Sequence, residues 1–458
     1  MSGITAEGVD FRTAFPVNLV PVPKTTGISA GYLRPAEGII TIADGGGANR
    51  GGYRWRGVHY RVMGATLFAV AADGGLTTVG LIAGQDWVTF DESFDYLAIN
   101  GGGNLYLYDG TTLAQVTDPD LGVSLDMVWI NGYFVSTDGE FLISSDINDP
   151  FSFNILRYAS SEISPDPVVA LQKLRNEIYA LNRYTIEVFG AVVNPGEGFP
   201  FARIEGAQIM KGAVGSRACC EFMQALAFVG GGVNDPPSVW IGRSAQAMKI
   251  STRDIDAILR GYTDTVLADT VLEGRPDLGH EFLYVHLPDQ TLVYDGAASA
   301  VTEQPVWHIL KSEAGYRARG FVWCYNQWNV ADPFGTLIGK LSPEIGSHYD
   351  DHVAWEFATP VAYNEGRGVQ VYELELVALA GDIALGDDPL IGTSYTLDGE
   401  TWSQTRYIRA GKMGERRKRL VWDRQGSFRN WRVQRFMGDT RAHLSFARLE
   451  ARFEEMAA

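Results

Sequence analysis

The chain has 458 residues, 46% of them hydrophobic and 20% charged, enough to bury one large core or two to three ordinary ones. Its net charge of −17 sets the surface as a whole against DNA and anionic membranes. The three cysteines, Cys219, Cys220 and Cys324, exclude a disulfide framework and have no C-x-x-C spacing for zinc, so free thiols made in a reducing cytoplasm are expected.

Along the chain, the first 52 residues read as irregular. Pro16, Pro21 and Pro23 interrupt regular structure, and the glycine-rich stretch from Gly45 to Gly52 reads as a flexible turn. It is no phosphate loop, because no Gly-Lys-Ser/Thr closes it and no helix follows. The opening residues Met1 to Glu7 carry neither a basic nor an apolar leader region. No window approaches eighteen uncharged apolar residues. Synthesis in the cytoplasm, with exit from the cell by lysis, is the expectation.

From Tyr53 the pattern has period two. Short apolar runs such as Ala65 to Val70, Tyr96 to Asn100, Leu105 to Tyr108 and Met127 to Val135 alternate with Asn, Asp and Gly turns every eight to twelve residues, which argues all-β structure. The run Leu105 to Gly110 recurs as Thr291 to Gly296, and related hairpins centre on Asn131-Gly132, Asp138-Gly139 and Asn176. Centres roughly forty residues apart match the blade spacing of a β-propeller. About six or seven degenerate blades are expected over 53–346, with a pair of β-sandwiches as the alternative. One helix is expected near Lys249 to Gly261, capped by Ser251 or Thr252 and stopped by glycine. Residues 347–458 change character. Clean alternating strands at Ala354 to Thr359 and Val369 to Val377, then basic strands, read as a separate C-terminal β-sandwich.

No catalytic or metal constellation stands out. A Gly-x-Ser-x-Gly elbow is missing. His348 and His352 have i, i+4 spacing, but they sit between strands; Asp382, Asp387 and Asp388 lack EF-hand spacing. The run Thr396 to Trp402 approaches a sialidase box but lacks the residue between Asp398 and Gly399. No cofactor is called for. The charged feature that does stand out is basic. Residues 406–435 hold eleven Lys and Arg against Glu415 and Asp423, about +9, on a remainder of about −26. Candidate contact residues are Arg416, Arg417, Lys418, Arg419, Arg424, Arg429, Arg432 and Arg435. DNA phosphate, an acidic neighbour or solvent would suit them, and the acidic body favours a subunit or partner contact.

This C-terminal pattern, an Asp398-Gly399 turn with Trp402 behind it, the basic run with Trp422, and the strand Arg429 to Val433, resembles the packaged-DNA stabilisation proteins of P22-like short-tailed phages. The strand pair from Asn49 to Leu67 and the approach Lys249 to Thr252 into a short helix are similar to the same family. The resemblance implies a virion protein with no enzymatic activity. Six copies would form a tail nozzle below the portal and its adaptor ring, retain packaged DNA, and conduct it without sequence specificity at ejection. It also implies contacts with a tail needle and tailspikes or fibres, and none with a membrane. A propeller glycosidase, or a glycan-binding virion protein, is the alternative.

Overall fold

The computed structural model describes residues 15–24, 26, 29–193, 196–243, 245–380, 383 and 387–456. They form two compact units. One comprises 41–288 and 317–340; the other draws on described residues up to 40, on 289–316 and on 341 onward.

The first unit is a propeller. Seven strands ring its axis: Asn49–Trp55, Thr89–Glu92, Asp126–Ile130, Val168–Leu174, Cys219–Phe222, Val271–Asp277 and Arg319–Cys324. Each neighbours the next, and the last neighbours the first. From most of them an antiparallel meander runs outward, turning on tight loops. Asn131-Gly132 is one such loop, with φ of 52° and 89°, the conformation that two-residue hairpins require. The seventh blade is completed by Gly38–Asp44 from the start of the chain beside Leu337–Ser342, and Gly45 N–H donates to Thr336 O at 2.8 Å.

Period two explains the packing. In Leu97–Gly101, Leu97 and Ile99 enter the layer shared with the first blade, alongside Trp55, Val62 and Tyr106. Ala98 enters the layer shared with the third, alongside Met127, Phe134 and Ile143. Alternate side chains thus fill opposite inter-blade layers, and each full burial of a large aliphatic group contributes about 1.5–3 kcal/mol.

Polar groups tie the inner ring together. Arg50, buried, donates to the carbonyls of Gly64, Ile82, Ala83 and Asp86 at 2.7–3.1 Å. Asp91 accepts from Trp129 N–H and Lys173 Nζ, each at 2.6 Å. Asp126 accepts from Thr89 Oγ1 at 2.6 Å, Leu171 N–H at 2.9 Å and Arg217 at 3.2 Å. Leu272 N–H donates to Arg217 O, and Glu273 accepts from Gly320 and Phe321 N–H. Arg61 closes the circle, donating to Asn49 Oδ1 at 2.9 Å and Gly320 O at 2.6 Å.

The second unit is a two-sheet sandwich with a small helix and the antiparallel strand pair Thr291–Asp295 and Val306–Leu310. One sheet runs Leu19–Pro23, Gly31–Pro35, Ser445–Glu455, Val369–Leu379 and Leu420–Asp423, with Ser427–Phe428 also on Val369–Leu379. The other runs Ala354–Ala358, Trp431–Asp439, Leu390–Thr396 and Arg406–Arg409, with Ala362–Tyr363 also on Trp431–Asp439. Leu19, Trp355, Leu376, Ile391, Leu420, Trp422, Phe436 and Phe446 fill the space between them.

Three local expectations change. The stretch to residue 52 holds strands: Pro21 and Pro23 sit in an edge strand, where a missing N–H costs least, and Asn49 to Gly52 lie in an innermost propeller strand. Gly52 is there because a Cβ would meet the Arg61 guanidinium at 3.0 Å. Residues 1–14 lie outside the described set. Asp295-Gly296 does not turn a hairpin but starts helix α1 (Gly296–Thr302), with Asp295 Oδ1 accepting from Ala298 N–H; the Ala-rich sequence that follows favours helix. The expected helix runs Arg253–Leu259, capped by Thr252, and a short helix, Asp264–Ala268, follows it unforeseen.

Replacing Arg61 with Ala leaves Asn49 Oδ1 and Gly320 O without this donor and should cost about 3 kcal/mol of propeller stability, read as a lower urea midpoint. Acid should also loosen this unit. Burial, with Arg61 beside it, holds the His59 imidazole well below its ordinary 6.5. Burial likewise lowers His286, although Glu273 opposes the shift. The unfolded chain therefore takes up these protons first, and stability falls as pH drops below about 6.5. Glu273, pushed up by burial but held below its ordinary 4.5 by His286 and two N–H donors, adds a further loss below that value. The melting temperature should fall between pH 7.5 and 5.5 (about two units), with a shallower slope in a His59→Gln/His286→Gln variant.

Candidate interaction surfaces

The basic segment divides into two populations. Arg432 lies on Trp431–Asp439 with Gln434 and Phe436, and all three alternate inward. Its guanidinium donates to Gln434 Oε1 at 2.7 and 3.0 Å and to Gln425 O at 2.6 Å, and it stacks 3.9 Å from the Tyr395 ring. Burial lowers its pKa to about 10, so it stays charged at neutral pH. Arg435, half-buried, lies 4.1 Å from the Trp402 ring and bonds Ser394 Oγ. Arg419 forms a two-pronged pair with Glu375. These three are occupied within their own unit.

The other five point outward. Arg416, Arg417 and Lys418 lie in the turns ahead of Leu420–Asp423, not within a strand, and are exposed. Arg424, with a φ of 53°, and Arg429 are exposed as well. No ion pair engages these five among the described residues. The sequence pattern expects one basic strip on basic strands; the structure separates internal struts from a cationic turn.

Asp398 organises its hairpin. Its carboxylate accepts from Glu400 N–H at 2.9 Å, Thr401 N–H at 2.8 Å, Thr396 Oγ1 at 3.0 Å and the Thr401 hydroxyl. The Thr401 hydroxyl and N–H lead in holding it well below the usual carboxylate range. Gly399 supplies the φ of 77° that the turn needs, and Trp402 then lies over Arg435. With these donors on it, the carboxylate serves the turn.

Reactive chemistry finds little support elsewhere. Burial pushes the Cys219 thiol up to about 12 and holds the Cys220 thiol well above its ordinary range, which makes them unreactive. His348 is buried and bonds Asp351 through its backbone. Among the described residues no group of three or more His, Cys, Asp or Glu is placed to hold a metal; Asp382 lies outside them. No described helix is long and apolar enough to cross a membrane. The charged residues of the inner ring, Arg50, Arg61, Asp91, Asp126 and Glu273, escaped the sequence reading. A charge at the heart of an apolar strand, as Arg61 is in Val58–Met63, was the available signal.

Two family models match in succession. One, described as the β-propeller of bacteriophage P22 Gp10, covers residues 1–346, and one described as its β-sandwich covers 354–454. Tail hub protein gp10 of Salmonella phage P22 is 29% identical, spanning 94% of this chain and 93% of its own. Solved structures give more distant likenesses. The Neurospora crassa Pan2 WD40 domain is 11% identical with a TM-score of 0.44, over 65% of this chain and 90% of that one. The Myceliophteria thermophila Cps50 (Swd1) β-propeller domain is 12% identical with a TM-score of 0.43, over 67% and 99%.

The two cation populations should separate on mutation. Arg432→Ala strands Gln434 and the Gln425 carbonyl and should destabilise the sandwich by about 3 kcal/mol. Arg416→Ala/Arg417→Ala should change its stability by no more than about 0.5 kcal/mol. Denaturant titration of the two variants against the parent chain checks both.

Proposed function

The chain belongs to the bacteriophage P22 Gp10 family, and from that premise we propose that it is a structural protein of a short-tailed phage tail, a nozzle subunit below the portal and adaptor. It is not an enzyme. Several copies surround the tail axis, retain the packaged genome, and conduct it at ejection. The observation that carries this reading is the ordered match of both family domains, joined to a relative named as a tail hub protein and similar over nearly the whole of both chains.

The physical chemistry supports it. A passage for DNA works best when it does not grip, because each phosphate neutralised by Lys or Arg strengthens binding and slows release. A chain at −17 repels phosphate over its surface as a whole and is suited to DNA that slides. The exposed cations Arg416, Arg417, Lys418, Arg424 and Arg429 then serve protein contacts, with another copy, the adaptor, a needle, or spikes and fibres. The division into an N-terminal segment to residue 52, a propeller over 53–346 and a sandwich from 347 is part of this proposal, with Gly38–Asp44 and Asn49–Trp55 of the first segment lending strands to propeller sheets.

Purified particles of the source phage decide the matter. Quantitative peptide mass spectrometry should find about one copy of this chain per two portal subunits, as a sixfold ring on a twelvefold portal requires. Absence from particles would overturn the proposal. A trimeric multiple at each attachment site would indicate a spike instead.

A further inference from the structure

The outer edge of the third blade differs from the others. Its last strand, Asp149–Ser160, has twelve residues, whereas the outermost strands of the second, fourth and fifth blades have three or four. Among the described strands it pairs only inward, with Phe141–Asp146. Ile155 is 60% and Leu156 76% exposed, and Phe151 is exposed beside them. A long apolar edge of this kind invites pairing with another chain unless something covers it.

Carboxylates occupy part of that edge. Asp118 Oδ2 accepts from Phe153 N–H at 2.9 Å, and Asp120 Oδ2 from Ile155 N–H at 3.3 Å. Asp149 accepts from Phe151 N–H at 3.2 Å. The nearby cation, Arg157, is already committed to Asp146 and the Glu197 carbonyl. The edge is therefore closed to simple strand addition and presents an apolar ridge with acids along it.

The same chain carries the complement. Arg416, Arg417 and Lys418 are exposed and unpaired among the described residues, and Met413 on that turn is 60% exposed. We propose that the acidic apolar ridge at Asp118, Asp120, Ile155 and Leu156 docks the Met413 to Lys418 turn of a second copy. The two surfaces differ, so the contact is head-to-tail, and a head-to-tail contact repeats into a ring when its rotation closes. Apolar side chains supply the centre, and opposite charges set register and reject like-charged faces. This inference rests on the reading of several copies around a tail axis, and it names the contact that holds them.

Sedimentation velocity on the whole chain tests it, with circular dichroism confirming that each variant folds. Asp118→Asn/Asp120→Asn keeps an acceptor oxygen on each residue while removing the charge. That variant, Leu156→Glu, and Arg416→Glu/Arg417→Glu should each weaken self-association about tenfold or more. Asp118→Lys/Asp120→Lys combined with Arg416→Glu/Arg417→Glu should recover it. Where the free chain stays monomeric, the same set is scored by incorporation into tailless particles, with losses and rescue expected in the same order. Unchanged association or incorporation in Leu156→Glu and Arg416→Glu/Arg417→Glu would overturn the contact and leave the tail assignment intact. Particles lacking the parent chain would overturn the assignment itself.

Discussion

A propeller must close, and here closure depends on polar side chains that reach from one inner strand to the backbone of another. The apolar layers between blades hold neighbouring sheets together but do not fix how many sheets complete the circle. That is set where Asp91 takes Trp129 N–H, Asp126 takes Leu171 N–H, Glu273 takes Gly320 and Phe321 N–H, and Arg61 reaches Gly320 O. Each bond is directional, so each fixes the stagger between its strands as well as their distance. Buried charges are costly unless every partner is in place, and a slipped register would leave these groups bare. The ring thus penalises misassembled alternatives more than it adds to net stability.

The same logic separates the two sets of cations in the sandwich. Arg432 is held by an amide, a carbonyl and a ring, and it belongs to the fold as much as Phe436 does. Arg416 and its neighbours make no such contacts and are available to a partner. Net charge therefore says little about function until the occupied and unoccupied cations are told apart.

Much of this was legible in the sequence. Alternation in Leu97–Gly101 and Val369–Leu379, the Asn131-Gly132 turn, and the Thr252 cap all follow from local rules, and the family resemblance placed the two folds in order. What was not legible depended on partners distant in the chain. The glycines at 51 and 52 read as a loop because what crowds them lies elsewhere in the chain: Val88 and Phe90 beside Gly51, and beside Gly52 the Arg61 guanidinium, whose acceptor Gly320 is some 260 residues further on. Pro21 and Pro23 read as breakers because nothing local says that their strand lies at an edge. The basic segment read as one strip because sequence cannot show which arginines already have acceptors.

Gly38–Asp44 completes the seventh blade beside Leu337–Ser342, and Leu19–Pro23 with Gly31–Pro35 extends the sheet that holds Ser445–Glu455. These strands are thus made long before the later strands that complete their sheets. Roughly 300 residues separate Asp44 from Leu337, on the order of 15–60 s of bacterial translation. Throughout that interval Gly38–Asp44 waits without Leu337–Ser342 and Gly31–Pro35 without Ser445–Glu455, while Leu19–Pro23 has only Gly31–Pro35 beside it. Prolines at 21 and 23 suit such a wait, since a strand lacking those N–H groups is a poor template for aggregation. The seventh blade stays open until Leu337–Ser342 emerges and the sandwich sheet until Ser445–Glu455, so a product cut short before residue 337 lacks closure in both.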